Sequence, residues 1–531
     1  MSIFIYRAVF IVAVAGSLVC LACPPVPPEA LDRANSQQTV IPLAFSEGKA
    51  QVIVHNTLNQ SIFLVKINKS SKPINAAQTG AVYPLARQHS SGRLLQENGD
   101  ETKISPVEPR ISRREHEKAQ SFNENPPRIE ALRIPARTIY SEPVNSANRR
   151  TFWVEKDNGW RLIGARVYAR SERCVVWCAD EEAETVSKAQ CADLAKRFDR
   201  IYRYVTGIFG YEYGSADGGG IDGDKAIHIL IYDIDADQSP EQTSGVVGFF
   251  WAKDSYTQEN LNQSGLETIK TNRAEMFYLD SFFMRNNPNL AYSTVVHELQ
   301  HMINFNEKKV NKGLSSARWY NEMLSLMAED IIDPLLGITI EDIGHPVRMR
   351  MPYFLSVYNG VSLTEWLSGD EALVSYATVF AFGAYLARNF GGADLLYEIA
   401  HNDAVDIPSL SLAISAVNDG QTFEQALVRY GEALVFSGAD RPADVFSFDR
   451  TVTSMRGDIE YTVSGFDIWN MKNASGFKGP VIFNIEEEQP DLDSYSLLVQ
   501  TCNTWQNITG DITTTIVEPA SNAVELYLMI K

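Results

Sequence analysis

Histidine and cysteine are scarce in this chain, 8 and 6 of 531 residues. So few cysteines exclude a small disulfide scaffold, whose domains are dense in them. Basic residues are short too, 47 against 66 acidic, for a formal net charge of −19. That excess disfavours nucleic acid as a partner, because its phosphates would be repelled. It equally disfavours non-specific adhesion to an anionic membrane, and solubility is sufficient to account for it. A long apolar run is missing as well. The longest, Ala8 to Ala22, is too short and too near the N-terminus to span a bilayer comfortably. What remains is a globular composition, 45% hydrophobic and 21% charged, in a chain long enough for two or three domains.

The first 22 residues read as an export segment, with Arg7 as its basic residue. It ends Leu21-Ala22-Cys23 and runs into Pro24-Pro25-Val26-Pro27-Pro28. This resembles a bacterial lipoprotein signal, with cleavage before Cys23, lipidation there, and an extended proline stalk beyond it. Cys20 stands where such signals usually carry Leu, and ordinary secretion with cleavage nearby is the alternative. Either route takes the protein out of the cytoplasm. Four cysteines then remain, Cys174, Cys178, Cys191 and Cys502. Cys174 and Cys178 fall in one predicted strand about 13 Å apart, too far for a mutual disulfide. Cys178 to Cys191 is the more local pairing. No CxxC pair supports a cysteine metal cluster.

Against the scarcity of histidine, His297-Glu298-Leu299-Gln300-His301 stands out. Two histidines four apart lie on one helix face, one turn from each other. Neutral imidazoles so placed can share one Zn²⁺, and Glu298 can approach without ligating. A catalytic zinc needs a third protein ligand, and Glu322 in Trp319-Tyr320-Asn321-Glu322 is the candidate. The periodicity predicts a helix over Ser293–Lys309 and a second over Arg318–Ile332. The alternative, two histidines that merely line a helix, loses weight when a second helix brings the acid.

Along the chain, Gln51–Asn56 and Ser61–Ile67 read as a hairpin of a small β module. Residues 23–71 are therefore assigned to the stalk and this module. Residues 72–150 lose periodicity and read as a linker or disordered insert, with a removable pro-segment left open. Residues 151–450 carry strands, a long helix over Lys188–Phe209, the two motif helices and a helical lobe. Residues 451–531 read as a β-sandwich-like module. The expected class is α+β, a mixed β-sheet lobe and a helical lobe with flanking β modules. Asp217-Gly218-Gly219-Gly220-Ile221-Asp222-Gly223-Asp224 is a candidate Ca²⁺ cradle. It lacks the EF-hand order, and a Gly/Asp turn is the simpler reading.

This arrangement is similar to gluzincin metallopeptidases, the thermolysin-like architecture. Gly248–Asp254, Glu275–Asp280, His297–Asn304 and Trp319–Asp330 resemble the hyicolysin family of metallopeptidases. With the signal, the chain looks like a spirochaete-type lipoprotein. The resemblance covers about Thr151 to Ala439, and Met323 replaces the Gly usual after Asn-Glu. It implies a zinc endopeptidase hydrolysing peptide bonds with a zinc-activated water. His297, His301 and Glu322 would hold one Zn²⁺, and Glu298 would be the general base. Related gluzincins place a catalytic Tyr at the start of a helix after the zinc helices, and Tyr376 resembles it; a packed tyrosine is the alternative. His345, in Gly344-His345-Pro346, is a second candidate donor or a loop cap. Glu329, seven residues past Glu322, is a candidate to orient an imidazole or a solvent-exposed acid. The implied partners are protein or peptide substrates, and a membrane reached through the lipid anchor. The implied place is the bacterial cell envelope, anchored to the outer membrane or surface, or outside the cell. The rival reading is a non-catalytic surface binding protein or adhesin on the same scaffold, against which the intact Glu298 argues.

Overall fold

The structure is a computed structural model that describes residues 39–55, 60–83, 115–127 and 148–531, apart from 157–158, 215–219, 237–244, 419, 439–444 and 503–510. The candidate Cys23 and the export segment lie outside these residues. Among the described residues no helix is long and apolar enough to cross a membrane.

The fold is α+β. Its central sheet has six strands: β1 (Arg149–Lys156), β2 (Gly159–Arg170), β3 (Cys174–Ala179), β4 (Ile227–Tyr232), β5 (Gly248–Phe250) and β6 (Met276–Asp280). Their order is β1-β2-β3-β4-β6-β5, so β5 is an edge. It runs antiparallel to β6, with Phe250 opposite Phe277. β3 and β4 are parallel and wholly buried, which is why both read as unbroken apolar runs rather than alternating ones. The helix between them, α2 (Lys188–Phe209), buries Leu194, Phe198, Ile201, Tyr202 and Val205 at helical spacing.

Behind the sheet lie α3 (Pro288–Asn304) and α4 (Arg318–Leu336), followed by α5 (Pro346–Val357), α6 (Ala372–Asn389) and three further helices to Phe436. Pro288 starts α3, where its missing N–H costs nothing. α6 packs closely on α4 because Gly383 faces Met323 and Met327. A Cβ at Gly383 would lie 2.7 Å from Met327 Cγ and 3.0 Å from Met323 Cγ. The close approach between these two helices is thus supplied by a glycine on α6, where Met323 occupies α4.

The flanking β segments correct the expected layout in two ways. Lys49–His55 and Ile62–Asn68 do not pair as a hairpin. Lys49–His55 pairs with Asp511–Val517, and Ile62–Asn68 lies between Val524–Ile530 and Leu497–Thr501. The N-terminal and C-terminal β stretches are therefore interleaved in shared sheets rather than built as separate modules. Ile62–Asn68 is buried on both faces. Phe63, Val65 and Ile67 join the main core, and Ile62 and Leu64 join a second core with Val52, Leu498 and Leu528. Residues 72–150 are not wholly a linker either, since Glu115–Glu124 forms a helix, here α1. The cysteine pairing is also corrected: Cys174, Cys178, Cys191 and Cys502 are all buried free thiols.

Candidate active site

α3 buries Val295, Val296, Leu299, Met302 and Ile303, and this fixes its rotation. His297 and His301 then face α4, with ring centroids 4.6 Å apart and planes at 84°. Glu322, in the first turns of α4, is 2% exposed. Its Oε2 lies 3.1 Å from His297 Nε2 and 3.6 Å from His301 Nε2. The three candidate ligating atoms lie within 4.8 Å of one another.

The other ring nitrogens fix the tautomers. His297 Nδ1 is 2.6 Å from Glu329 Oε1, and His301 Nδ1 is 3.0 Å from Ser325 Oγ and 3.3 Å from Asn321 Oδ1. With its hydrogen on Nδ1, each neutral imidazole turns the Nε2 lone pair toward the Glu322 carboxylate. Lone pairs facing a carboxylate oxygen call for a cation between them, a proton or a metal. Burial works against a charged His297, but Glu322 and Glu329 outweigh it and raise its pKa well above the usual value. Burial likewise pushes Glu322 up, yet His301 and His297 hold its carboxyl well below the ordinary range. Two imidazoles and a carboxylate, so oriented, suit Zn²⁺.

Glu329 is buried against His297, not exposed. Its second oxygen accepts from Ser293 Oγ at 2.8 Å, and Ser293 Oγ is also 2.7 Å from Asp333 Oδ2. One hydroxyl hydrogen cannot serve two carboxylates. Burial first, and then the charge of Glu329, raises the Asp333 carboxyl well above its usual range. A neutral Asp333 therefore donates to Ser293, Ser293 donates to Glu329, and Glu329 remains the acceptor for His297.

Glu298 stands outside the ligand set. Its Oε2 accepts from the Phe250 N–H on β5 at 2.7 Å, and burial raises its pKa against the opposing pull of His297 and His301. Gly248 lets β5 lie this close to α3, since a Cβ there would be 2.9 Å from Thr294 Cγ2. Tyr376, near the start of α6, is held by Trp366 edge-on at 4.8 Å and by Arg350 at 4.9 Å from its ring centre. Burial and the Glu322 charge raise its pKa well above 10, so the phenol keeps its proton.

His345 is placed elsewhere. It caps α5, its Nδ1 accepting from Val347 N at 3.2 Å, and its Nε2 lies 3.9 Å from Asp330 Oδ1. The Ca²⁺ candidate falls partly outside the described residues. Asp222 and Asp224 each come 3.2 Å from His228 Nε2. Trp177 Nε1 donates to His228 Nδ1 at 2.8 Å, so Nε2 carries the hydrogen and donates to the carboxylates. The single Nε2 hydrogen is shared between the two carboxylates, and nothing in this arrangement supports calcium.

Sequence reasoning missed residues on α1. Gln120 Nε2 donates to both Glu322 Oε1 and Tyr376 OH at 2.8 Å. Asn123 Nδ2 donates to Phe250 O, and its Oδ1 accepts from Ala252 N, both at 2.8 Å. His116 is half-buried beside the cluster. Burial lowers its pKa to about 4; Glu322 opposes this, while His301, His297 and Arg318 reinforce it. The available signal was Ala119 and Phe122, three apart in a stretch free of Pro and Gly.

Residues 167–466 match the family described as Peptidase M30. The chain is also 26% identical over 344 residues to the neutral metalloprotease ShpI of Staphylococcus hyicus, covering 62% of this chain and 72% of that protein.

Proposed function

As this chain belongs to the peptidase M30 family and is a metallopeptidase acting on protein or peptide substrates, we propose that it is a gluzincin-type zinc endopeptidase working outside the cytoplasm. The observation that carries this reading is the convergence of His297 Nε2, His301 Nε2 and Glu322 Oε2 beside a Glu298 that does not join them. His297, His301 and Glu322 would hold the metal. When bound, Zn²⁺ lowers the pKa of a coordinated water towards about 7 and polarises the scissile carbonyl.

The remaining steps belong to side chains. Glu298 takes the proton from the attacking water and returns it to the leaving amide nitrogen. Burial, which raises its pKa, suits a carboxylate that must take up a proton before giving it back. Tyr376 donates its hydroxyl hydrogen to the developing oxyanion. Glu329 and the Asn321–Ser325 pair keep the two imidazoles from turning. A peptide would lie along β5, whose Phe250 O faces away from β6, and reach Ala252 N two residues past its end.

The test is metal content. His301→Ala should lose the ion under mild chelation that leaves the wild type with one zinc per chain. Stoichiometric zinc in that variant contradicts the ligand assignment.

A further inference from the structure

α1 has no reason to be a helix by itself. Its ten residues, Glu115-His116-Glu117-Lys118-Ala119-Gln120-Ser121-Phe122-Asn123-Glu124, are mostly polar, and a helix this short is marginal in water. Only Ala119 and Phe122 are buried apolar groups, and Phe122 meets the Tyr256 ring edge-on at 5.9 Å. Ion pairs Lys118–Glu155 and Arg318–Glu124 hold it from the sides, and Tyr256 OH donates to Pro127 O at 3.1 Å. The helix is formed by docking.

Its docking contacts fall on the groups that the proposed reaction needs. The Gln120 carboxamide bonds the proposed ligand Glu322 and the proposed donor Tyr376 with one nitrogen. The Asn123 carboxamide offers a donor to Phe250 O on the outer edge of β5 and an acceptor to Ala252 N, two residues past its end. These are amide groups of the kind a substrate backbone would present to the same atoms. The cavity that remains beside His301 is small and is itself walled by Asn123 and Phe250.

We propose that residues 115–127 are an internal ligand of the cleft, holding the place of a peptide substrate, so that the chain is latent until they are displaced or cut away. The proposal rests on the peptidase reading above. The contacts are chiefly polar and the apolar area is small, so the hold depends on tethering, which makes the local concentration high. Arg113 and Arg114 precede the docked segment and Arg128 follows it, which offers cutting points for a protease of basic specificity. Cutting on both sides turns an intramolecular contact into a bimolecular one.

The test uses the full, zinc-loaded chain and two readouts. The first is kcat/KM on an unstructured reporter peptide, for wild type and for Gln120→Ala/Asn123→Ala. The second is fluorescence anisotropy of a labelled synthetic peptide of residues 115–127, with Glu298→Gln added to each chain to prevent cleavage. The expected result is a rise of at least tenfold in kcat/KM for the double variant, with the labelled peptide binding it and not the wild type. Equal cleavage by wild type and variant overturns the proposal, as does failure of the peptide to bind the variant. If neither chain cleaves but the peptide binds the variant alone, cleft occupancy stands and the peptidase reading fails. Should the double variant not fold, Asn123→Asp replaces it. That change sets a carboxylate against the Phe250 carbonyl at a half-buried position, and the same outcomes decide.

Discussion

At the scale of single residues, the site is an arrangement of lone pairs. Glu329 and Ser325 hold the Nδ1 sides of two imidazoles, and both Nε2 atoms turn to Glu322. Tyr376 is the residue whose role separates most sharply from packing. Tyr376→Phe keeps the ring against Trp366 and Arg350 and removes only the hydroxyl. Its kcat is expected to fall by about 10²–10³ with a much smaller change in KM. Lower thermal stability with kcat intact would instead mark a packed tyrosine. The proposed ligands and base were legible because helical spacing places them together with no tertiary knowledge. Glu329 was half legible: its spacing gave the face but not the neighbour. Gln120 and Asn123 were not legible, because their stretch is too polar and short to announce a helix that only docking creates.

At the scale of elements, α3, α4 and α6 carry the site, and a buried ion pair ties the last two. Arg388 on α6 donates to both Asp330 oxygens on α4, at 2.5 and 3.0 Å, with neither side chain more than 1% exposed. Removing one partner leaves an uncompensated buried charge. Asp330→Ala is expected to cost about 3–5 kcal/mol of stability. A denaturant titration followed by tryptophan fluorescence checks this; an unchanged midpoint and slope would mean the pair is not integral. The helices and strands themselves were largely legible. α2 falls on Lys188–Phe209 and the following lobe is helical, as the periodicity predicts. Strand pairing was not. Ile62–Asn68 looks like half of a hairpin because its neighbour in sequence is also a strand, but its partners lie more than four hundred residues away. Nothing local encodes such a partner.

At the scale of the molecule, the interleaved β segments bind both ends of the described chain to the helical lobe. Phe63, Val65 and Ile67 are part of the main core, and Gly431 on the helix Phe423–Phe436 sits so close that a Cβ there would be 2.7 Å from Val65 Cγ1. A polypeptide anchored before Thr39 would thus tether the whole body through a paired strand. We expect the mature protein to begin at an acylated Cys23, which the intact mass of membrane-extracted material checks; an unmodified Cys23 or another N-terminus removes the anchor. The central claim is that Glu298 performs proton transfer at a metal held by His297, His301 and Glu322. Its most direct test is the cleavage rate of an unstructured protein by wild type and Glu298→Gln, each shown to carry one zinc and both bearing Gln120→Ala/Asn123→Ala to open the cleft. Internal cleavage is expected from the chain that retains Glu298, and a fall of about 10²–10⁴ in the Glu298→Gln chain. Equal rates at equal zinc content would contradict it.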